Sequence, residues 1–177
     1  QELAEGHPDQ MNRQGLHAVA ADHVFDGSTR HENALVLIEG SEIKSLLPQS
    51  ELPADLCTHH LPAGAWLAPG FIDLQVNGGG DILFNDSPTP ETIITIAGAH
   101  RKFGTTALLP TFITDTREKM RAAMAAVLEA LDREPSVLGI HLEGPFLSPE
   151  KAGVHDPRLM RAPDDADLEM LCSEWRG

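Results

Sequence analysis

The stretch FIDLQVNGGG, residues 71–80, decides the fold of this chain. Its first six residues form a near-continuous apolar run, and such runs are typical of strands that are buried in a parallel sheet. Asn77 and the three glycines that follow it predict a turn directly after the strand. The fold class then depends on which elements come next along the chain.

The segments after this strand alternate between helix and strand patterns. Thr89 and Pro90 are suited to be the N-cap and the first residue of a helix. A second helix is predicted to begin at Thr114-Asp115, where Glu118 would complete a capping box. Two further strands and a last acidic helix are predicted at residues 105–111, 137–142 and 164–172. The order β-α-β-α-β predicts an α/β fold of parallel strands covered by helices.

The residues before this region have shorter, strand-like patterns. Predicted strands cover residues 18–25, 34–39, 43–47 and 57–61. Gly40-Ser41 is expected to join the second and third of them as a hairpin. These strands predict part of a small β-sandwich ahead of the α/β region.

The length of 177 residues suits one to two domains. We divide the chain into a disordered leader at residues 1–15, a partial β-sandwich at 16–66 and the α/β domain at 67–177. The net charge of −14 disfavours nucleic acid and anionic membranes as partners. Cys57 and Cys172 belong to no CxxC pair, which excludes a disulfide scaffold and favours a reducing compartment, the cytoplasm.

Polar side chains lie where the first and third predicted parallel strands end. Asp73, Gln75 and Asn77 share one face of the first strand, and His141 and Glu143 share one face of the third. Ligands of parallel α/β folds bind at the carboxyl ends of the strands. A carboxylate at the position of Glu143 can be a metal ligand, a general acid or base, or half of a structural ion pair. The residues alone leave these three roles open.

The loop after this strand contains another polar candidate, His155. Prolines and Gly153 restrict the loop, so we expect His155 over the strand ends. The backbone at Val154 can approach a ligand closely because Gly153 adds no bulk. A solvated loop histidine without a function is the alternative.

Three strings occur in order along the chain: LAPGFIDLQVNG at 67–78, the segment 104–111, and GIHLEGPF at 139–146 with the loop 151–155. Together they resemble the amidohydrolase superfamily and, within it, the N-acetylglucosamine-6-phosphate deacetylases. The resemblance implies a TIM barrel flanked by a small β-sandwich. This chain would then hold an incomplete TIM barrel, its first three β/α units, preceded by part of the sandwich.

The resemblance also implies a reaction, the metal-dependent hydrolysis of N-acetylglucosamine 6-phosphate to glucosamine 6-phosphate and acetate. Glu143 would bind one divalent metal ion, with zinc expected first and iron, cobalt or manganese as alternatives. Val154 and His155 would contact the sugar. Gln75 and Asn77 stand where many members have the HxH pair of a second metal, so the chain resembles a one-metal variant. These two amides would then hydrogen-bond water or substrate.

The same resemblance implies catalytic parts that this sequence does not contain. The aspartate that acts as acid and base, together with two histidine ligands, is expected downstream of residue 177. We therefore expect a truncated, inactive portion of an enzyme that is a homodimer at full length, with an unpaired sheet edge. Two alternatives stay open: an amidohydrolase acting on a cyclic amide or another N-acyl sugar, and a non-catalytic phosphosugar-binding relic.

Overall fold

The computed structural model of the protein describes residues 15–173. They form two compact units, and the chain passes from one to the other between Pro69 and Gly70. The predicted leader, residues 1–15, falls almost entirely outside the described residues, and the predicted boundary between residues 66 and 67 stays a prediction. No helix in the described part of the chain is both long and apolar enough to cross a membrane.

The first unit is built on one five-stranded sheet. Its strands are β1 (Leu16–Phe25), β2 (Arg30–Glu39), β3 (Glu42–Pro48), β4 (Thr58–His60) and β5 (Trp66–Leu67). Neighbours among β1, β2 and β3 are antiparallel, whereas β4 and β5 both pair with β1 in parallel. The predicted hairpin at Gly40-Ser41 is confirmed, and Gly40 has a φ of 60°, which favours glycine. The four predicted strands form, and the two-residue β5 was not predicted.

Both faces of this sheet bury apolar side chains. Ala20 and Leu35 belong to one buried cluster, while the neighbouring Ala21 and Ala34 belong to another, since successive side chains point to opposite faces of a strand. An apolar cavity of about 250 Å³ lies within this unit, and its lining includes Val19, Val36, Ile43 and Leu46. One layer of a β-sandwich needs a single apolar face to pack against the other sheet, and this sheet has two.

The second unit is a mixed α/β structure. Its elements are β6 (Phe71–Val76), β7 (Gly78–Gly79), β8 (Ile82–Leu83), α1 (Pro90–Arg101), β9 (Thr105–Ile113), α2 (Arg117–Leu131), β10 (His141–Glu143) and α3 (Asp165–Ser173). The central strand, β9, pairs in parallel with β6 on one side and β10 on the other. The predicted β-α-β-α-β order of parallel strands is therefore confirmed. The glycine-rich turn after β6 forms the small antiparallel pair β7–β8.

Helices α1 and α2 begin at threonine N-caps. Thr89 accepts the backbone N–H three residues on, and Pro90 follows it, as predicted. The predicted start of the second helix at Thr114-Asp115 is wrong, because Thr116 is the N-cap of α2. The reason is that Thr114 lies buried directly after β9, where its hydroxyl and its N–H both face His155.

The third parallel strand is shorter than predicted. The chain first pairs with β9 around Val137. There Leu108 donates its N–H to the Ser136 carbonyl at 2.8 Å, and Leu138 donates its N–H to the Leu108 carbonyl at 3.0 Å. Regular pairing resumes only at His141 and ends at Glu143. The end of the strand is therefore where the sequence predicted it, directly before Gly144.

One apolar core joins the strands and helices of this unit. Its buried residues include Val76, Phe84, Ile93, Ile96, Leu108, Phe112, Met120, Met124 and Val127. Within residues 15–173, no strand pairs with the outer edge of β6, where Ile72 and Leu74 are 63% and 62% exposed. Three strands that cannot close on themselves were expected to leave such an edge.

Candidate functional site

The carboxyl ends of the parallel strands bring three of the predicted site residues together. Glu143 is the last residue of β10, and 30% of its side chain is exposed. Its Oε2 accepts a hydrogen bond from Gln75 Nε2 at 2.8 Å, and its Oε1 lies 3.3 Å from His155 Nε2. Each carboxylate oxygen thus has one partner in the protein and keeps lone-pair capacity for a ligand.

His155 is buried, with 8% of its surface exposed, so it is not the solvated loop histidine of the alternative interpretation. Its Nδ1 lies 2.9 Å from Thr114 Oγ1 and 3.4 Å from the Thr114 amide nitrogen. An amide N–H can only donate, so Nδ1 accepts and the ring proton of the neutral imidazole is on Nε2. This tautomer lets His155 donate to Glu143.

The end of β9 is closed by the side chain of Asn85. Its Oδ1 accepts the N–H of Ile113 at 2.9 Å, and its Nδ2 donates to the Ile113 carbonyl at 3.1 Å. The next N–H along the chain, that of Thr114, faces His155. These backbone groups at the strand end are therefore paired within the chain.

Gly144 lets the loop after β10 lie directly against Thr114. Its φ is 101°, a conformation that residues with a side chain rarely adopt. A Cβ at this position would overlap the Thr114 hydroxyl. The site thus depends on a glycine between Glu143 and the rest of the loop.

We expect Gly144→Ala to lower the free energy of unfolding of this chain by about 2–4 kcal/mol, through steric overlap and backbone strain. Gly153→Ala is the matched control: Gly153 also has a positive φ, 58°, but a Cβ there meets no atom within 4 Å. Its expected loss is about 1 kcal/mol, from strain alone. Urea unfolding measures both, and equal losses would mean that the contact with Thr114 contributes nothing.

Two predicted site residues lie outside this cluster. Val154 is 86% exposed, and Asn77 is exposed with no side-chain hydrogen bond to any residue of the described range. His141 is paired within the sheet, because its Nδ1 lies 3.1 Å from Thr111 Oγ1. The structure therefore brings together Gln75, Glu143 and His155 only.

Asp164 and Asp167, at the start of the last helix, are engaged in a separate ion network. Asp167 is fully buried; it receives hydrogen bonds from both Arg161 and Arg117, the latter through Nε at 2.8 Å. The Arg161 and Arg117 guanidinium groups hold the pKa of Asp167 well below its usual range. Asp164 and Asp167 also accept each other's backbone N–H at 3.0 and 3.1 Å, a reciprocal cap at the start of α3. Arg161 donates its own N–H to Pro145, which ties this network to the loop after Glu143.

The family model for the amidohydrolase family matches residues 66–174, more than half of the chain. The chain belongs to the amidohydrolase family. Members of this family are generally metal-dependent hydrolases that act on amide bonds. The match covers the described part of the α/β unit, which carries Glu143, Gln75 and His155.

Three amidohydrolases show which members this chain is similar to. An N-acetylgalactosamine-6-phosphate deacetylase of Shewanella sp. is 52% identical over 113 residues, which cover 63% of this chain and 28% of that protein. The N-acetylglucosamine-6-phosphate deacetylase of Haemophilus influenzae is 41% identical over 77% of this chain and 36% of its own length. A crystal structure of the Pasteurella multocida N-acetylglucosamine-6-phosphate deacetylase has a TM-score of 0.84 at 34% identity, covering 89% of this chain and 41% of that one. The chain therefore spans about a third of the length of the curated relatives that it matches.

Glu143 fits a divalent cation as one ligand, because it is a partly exposed carboxylate with free lone pairs at a strand end. Within residues 15–173, no group of three His, Cys, Asp or Glu side chains could hold a metal ion. A catalytic zinc needs three protein ligands and a water. The other ligands of an amidohydrolase metal would have to come from outside the described residues.

Two residues of this amidohydrolase site were missed by the sequence analysis. Thr114 was interpreted as the start of a helix, although a polar residue directly after a buried strand is itself a signal for a strand-end site. Asn85 lies in a loop between short elements, and no local pattern marks it. Its role depends on Ile113, 28 residues away.

Proposed function

We propose that this chain is part of a hexosamine 6-phosphate deacetylase, which hydrolyses N-acetylglucosamine 6-phosphate to glucosamine 6-phosphate and acetate. The observation that carries the proposal is the cluster of Glu143, Gln75 and His155 at the carboxyl ends of parallel strands. The similarity of the chain to N-acetylglucosamine-6-phosphate deacetylases supports the choice of substrate.

The proposal includes the fold of the whole protein. The three parallel strands and their helices would be the first three β/α units of a TIM barrel, which takes ~250 residues when complete. The open edge of β6 supports this, since a closed barrel gives every strand two neighbours. The five-stranded sheet with its apolar cavity would be one part of a β-sandwich completed elsewhere in the protein.

Glu143 is the proposed ligand of one divalent metal ion, with zinc first and iron, cobalt or manganese as alternatives. When bound, the metal would acidify a water molecule and polarise the acetamide carbonyl. Gln75 and His155 hold the two oxygens of Glu143, so the carboxylate keeps one orientation. Val154 and His155 are the proposed sugar contacts, and the exposed Asn77 is free to hydrogen-bond water or substrate.

The remaining catalytic group would lie in the rest of the protein. An aspartate there would move the proton to the leaving amine, and this chain alone would be inactive. Asp167 cannot substitute for it, because its carboxylate is buried between two arginines. We further propose a homodimer in the cytoplasm; the two free cysteines, Cys57 and Cys172, fit a reducing compartment.

A second candidate substrate is N-acetylgalactosamine 6-phosphate. The relative that is 52% identical carries that activity in its name. The two sugars differ in the orientation of one hydroxyl group. None of Gln75, Glu143 and His155 is assigned a contact with that hydroxyl group. The reaction and the role of Glu143 would be the same for both.

Acetate release from the two sugar phosphates by the full-length protein that contains this chain tests the proposal. We expect one of them to be hydrolysed with a kcat/KM at least about 10³-fold above that for dihydroorotate, a cyclic amide. The isolated 177-residue chain is expected to release no acetate, because its described residues supply one metal-binding carboxylate. Preference for the cyclic amide would contradict the proposal, and calorimetric binding of either sugar without hydrolysis would favour the relic.

A further inference from the structure

We propose that Thr114 is a positioning residue of this site: it fixes the ring of His155 so that the Nε2–H of His155 points at Glu143. The geometry carries this inference by itself. Its consequence for the metal ion and for catalysis rests on the proposed function.

Two donors of one residue converge on the same ring nitrogen. The backbone N–H of Thr114 points at Nδ1 of His155 over 3.4 Å, and the hydroxyl oxygen lies 2.9 Å from the same atom. The amide requires a lone pair on Nδ1, and a hydroxyl facing that lone pair donates as well. Thr114 thus selects the tautomer with the proton on Nε2.

Burial raises the free-energy cost of losing the hydrogen bond between the Thr114 hydroxyl and His155. Thr114 is 6% exposed and His155 is 8% exposed, so water cannot readily replace the hydroxyl as a partner. The backbone of His155 is held as well, because its N–H donates to the Ala152 carbonyl at 3.0 Å. Gly144 lies directly against the Thr114 hydroxyl, which therefore sits between the loop and the ring.

The tautomer of His155 determines whether the Glu143 carboxylate faces an N–H donor or a ring lone pair. With the proton on Nε2, His155 donates to Oε1 while Gln75 donates to Oε2, and the carboxylate plane is fixed from both sides. With the proton on Nδ1, a ring lone pair would face a carboxylate oxygen, and the two would repel each other. Partners that orient a metal ligand in this way typically change metal affinity by about 10–100-fold.

The chain contains a matched control for this pair. Thr111 and His141 face each other across the β9–β10 ladder with Oγ1 and Nδ1 3.1 Å apart. Thr111 is fully buried, and neither residue has a described hydrogen bond to Glu143. Removing the Thr111 hydroxyl therefore removes the same kind of bond without touching the proposed ligand.

The tautomer of His155 is measurable by long-range ¹H–¹⁵N NMR of its ring in the metal-free, full-length protein. We expect the proton on Nε2 in the wild type, in Thr114→Ser and in Thr111→Val. In Thr114→Val the backbone N–H remains, but its contact of 3.4 Å is longer than the lost hydroxyl contact of 2.9 Å, so we expect a mixture of tautomers there. Affinity for Zn²⁺, measured by competition with a chelator, is expected to fall about 10-fold or more only in Thr114→Val. Thr114→Ser keeps the hydroxyl and should retain the affinity.

A wild-type His155 with its proton on Nδ1 would overturn the inference, even if Thr114→Val failed to fold. So would a Thr114→Val protein with the tautomer and Zn²⁺ affinity of Thr111→Val. A wild-type protein that hydrolyses neither sugar but shows the expected tautomers would refute the proposed function alone. The opposite result, deacetylation with no effect of Thr114→Val on tautomer or affinity, would refute this inference alone.

Discussion

Deacetylation by the full-length protein is expected to fall at least about 10³-fold in kcat/KM when Glu143 is replaced by glutamine. Glutamine keeps the size of the side chain but lacks the negative charge that a cation needs. Its amide nitrogen would also face the donors of Gln75 or His155, so one of these hydrogen bonds would be lost. Zinc content after dialysis should fall together with activity.

Glu150→Gln is the matched control for this variant. Glu150 lies in the exposed turn Pro149–Lys151 of the loop that follows Glu143. Its replacement by glutamine removes the same charge as Glu143→Gln does. We expect its kcat/KM to stay within about 3-fold of the wild type, since exposed charges contribute little. A folded Glu143→Gln protein, checked by circular dichroism, that kept its activity and zinc would refute the role of Glu143 as metal ligand.

Asp167→Asn is expected to lower the free energy of unfolding of this chain by about 3 kcal/mol near neutral pH, because it leaves two arginines facing a neutral group at a buried position. The pKa of Asp167 is lowered in the folded protein from its ordinary value of 3.8. Its contribution to stability is therefore present above the unfolded pKa and is lost as the pH falls below it. The difference between wild type and variant should shrink below about pH 4.

Urea unfolding at about pH 7, 5 and 3 measures this difference. Asp165→Asn is the control, since Asp165 is exposed in the first turn of the same helix and should change stability by less than about 0.5 kcal/mol. A difference for Asp167→Asn that did not depend on pH would mean that the carboxylate charge contributes little. Equal effects of the two variants would mean that burial of Asp167 does not matter.

Local patterns in the sequence predicted the longer strands and the end of β10. The apolar run before Glu143 and the Gly144 break after it are both local signals, so the carboxylate could be assigned to a strand end. The residues that orient it could not be found in this way. Gln75 lies 68 residues before Glu143, and only the pairing of both their strands with β9 brings them within 2.8 Å.

Thr114 shows why a local pattern can be misleading. A threonine followed by Asp115 fits a helix cap, and the sequence around it gives no sign of His155, 41 residues away. The burial of His155 could not be predicted from a local pattern either, because it depends on where the loop after Gly144 passes. Sequence patterns thus predicted the longer strands and the helices of this unit, although not every boundary, while contacts between distant elements decided the chemistry of the site.

The closed end of β9 has a consequence for how members of this family diverge. The N–H and carbonyl of Ile113 are occupied by Asn85, and the N–H of Thr114 is occupied by His155. A ligand that reaches this place meets side chains instead of these main-chain groups. A single nucleotide change can exchange a side chain without altering the path of the strand, so what a ligand meets at this place can change while the scaffold is inherited intact.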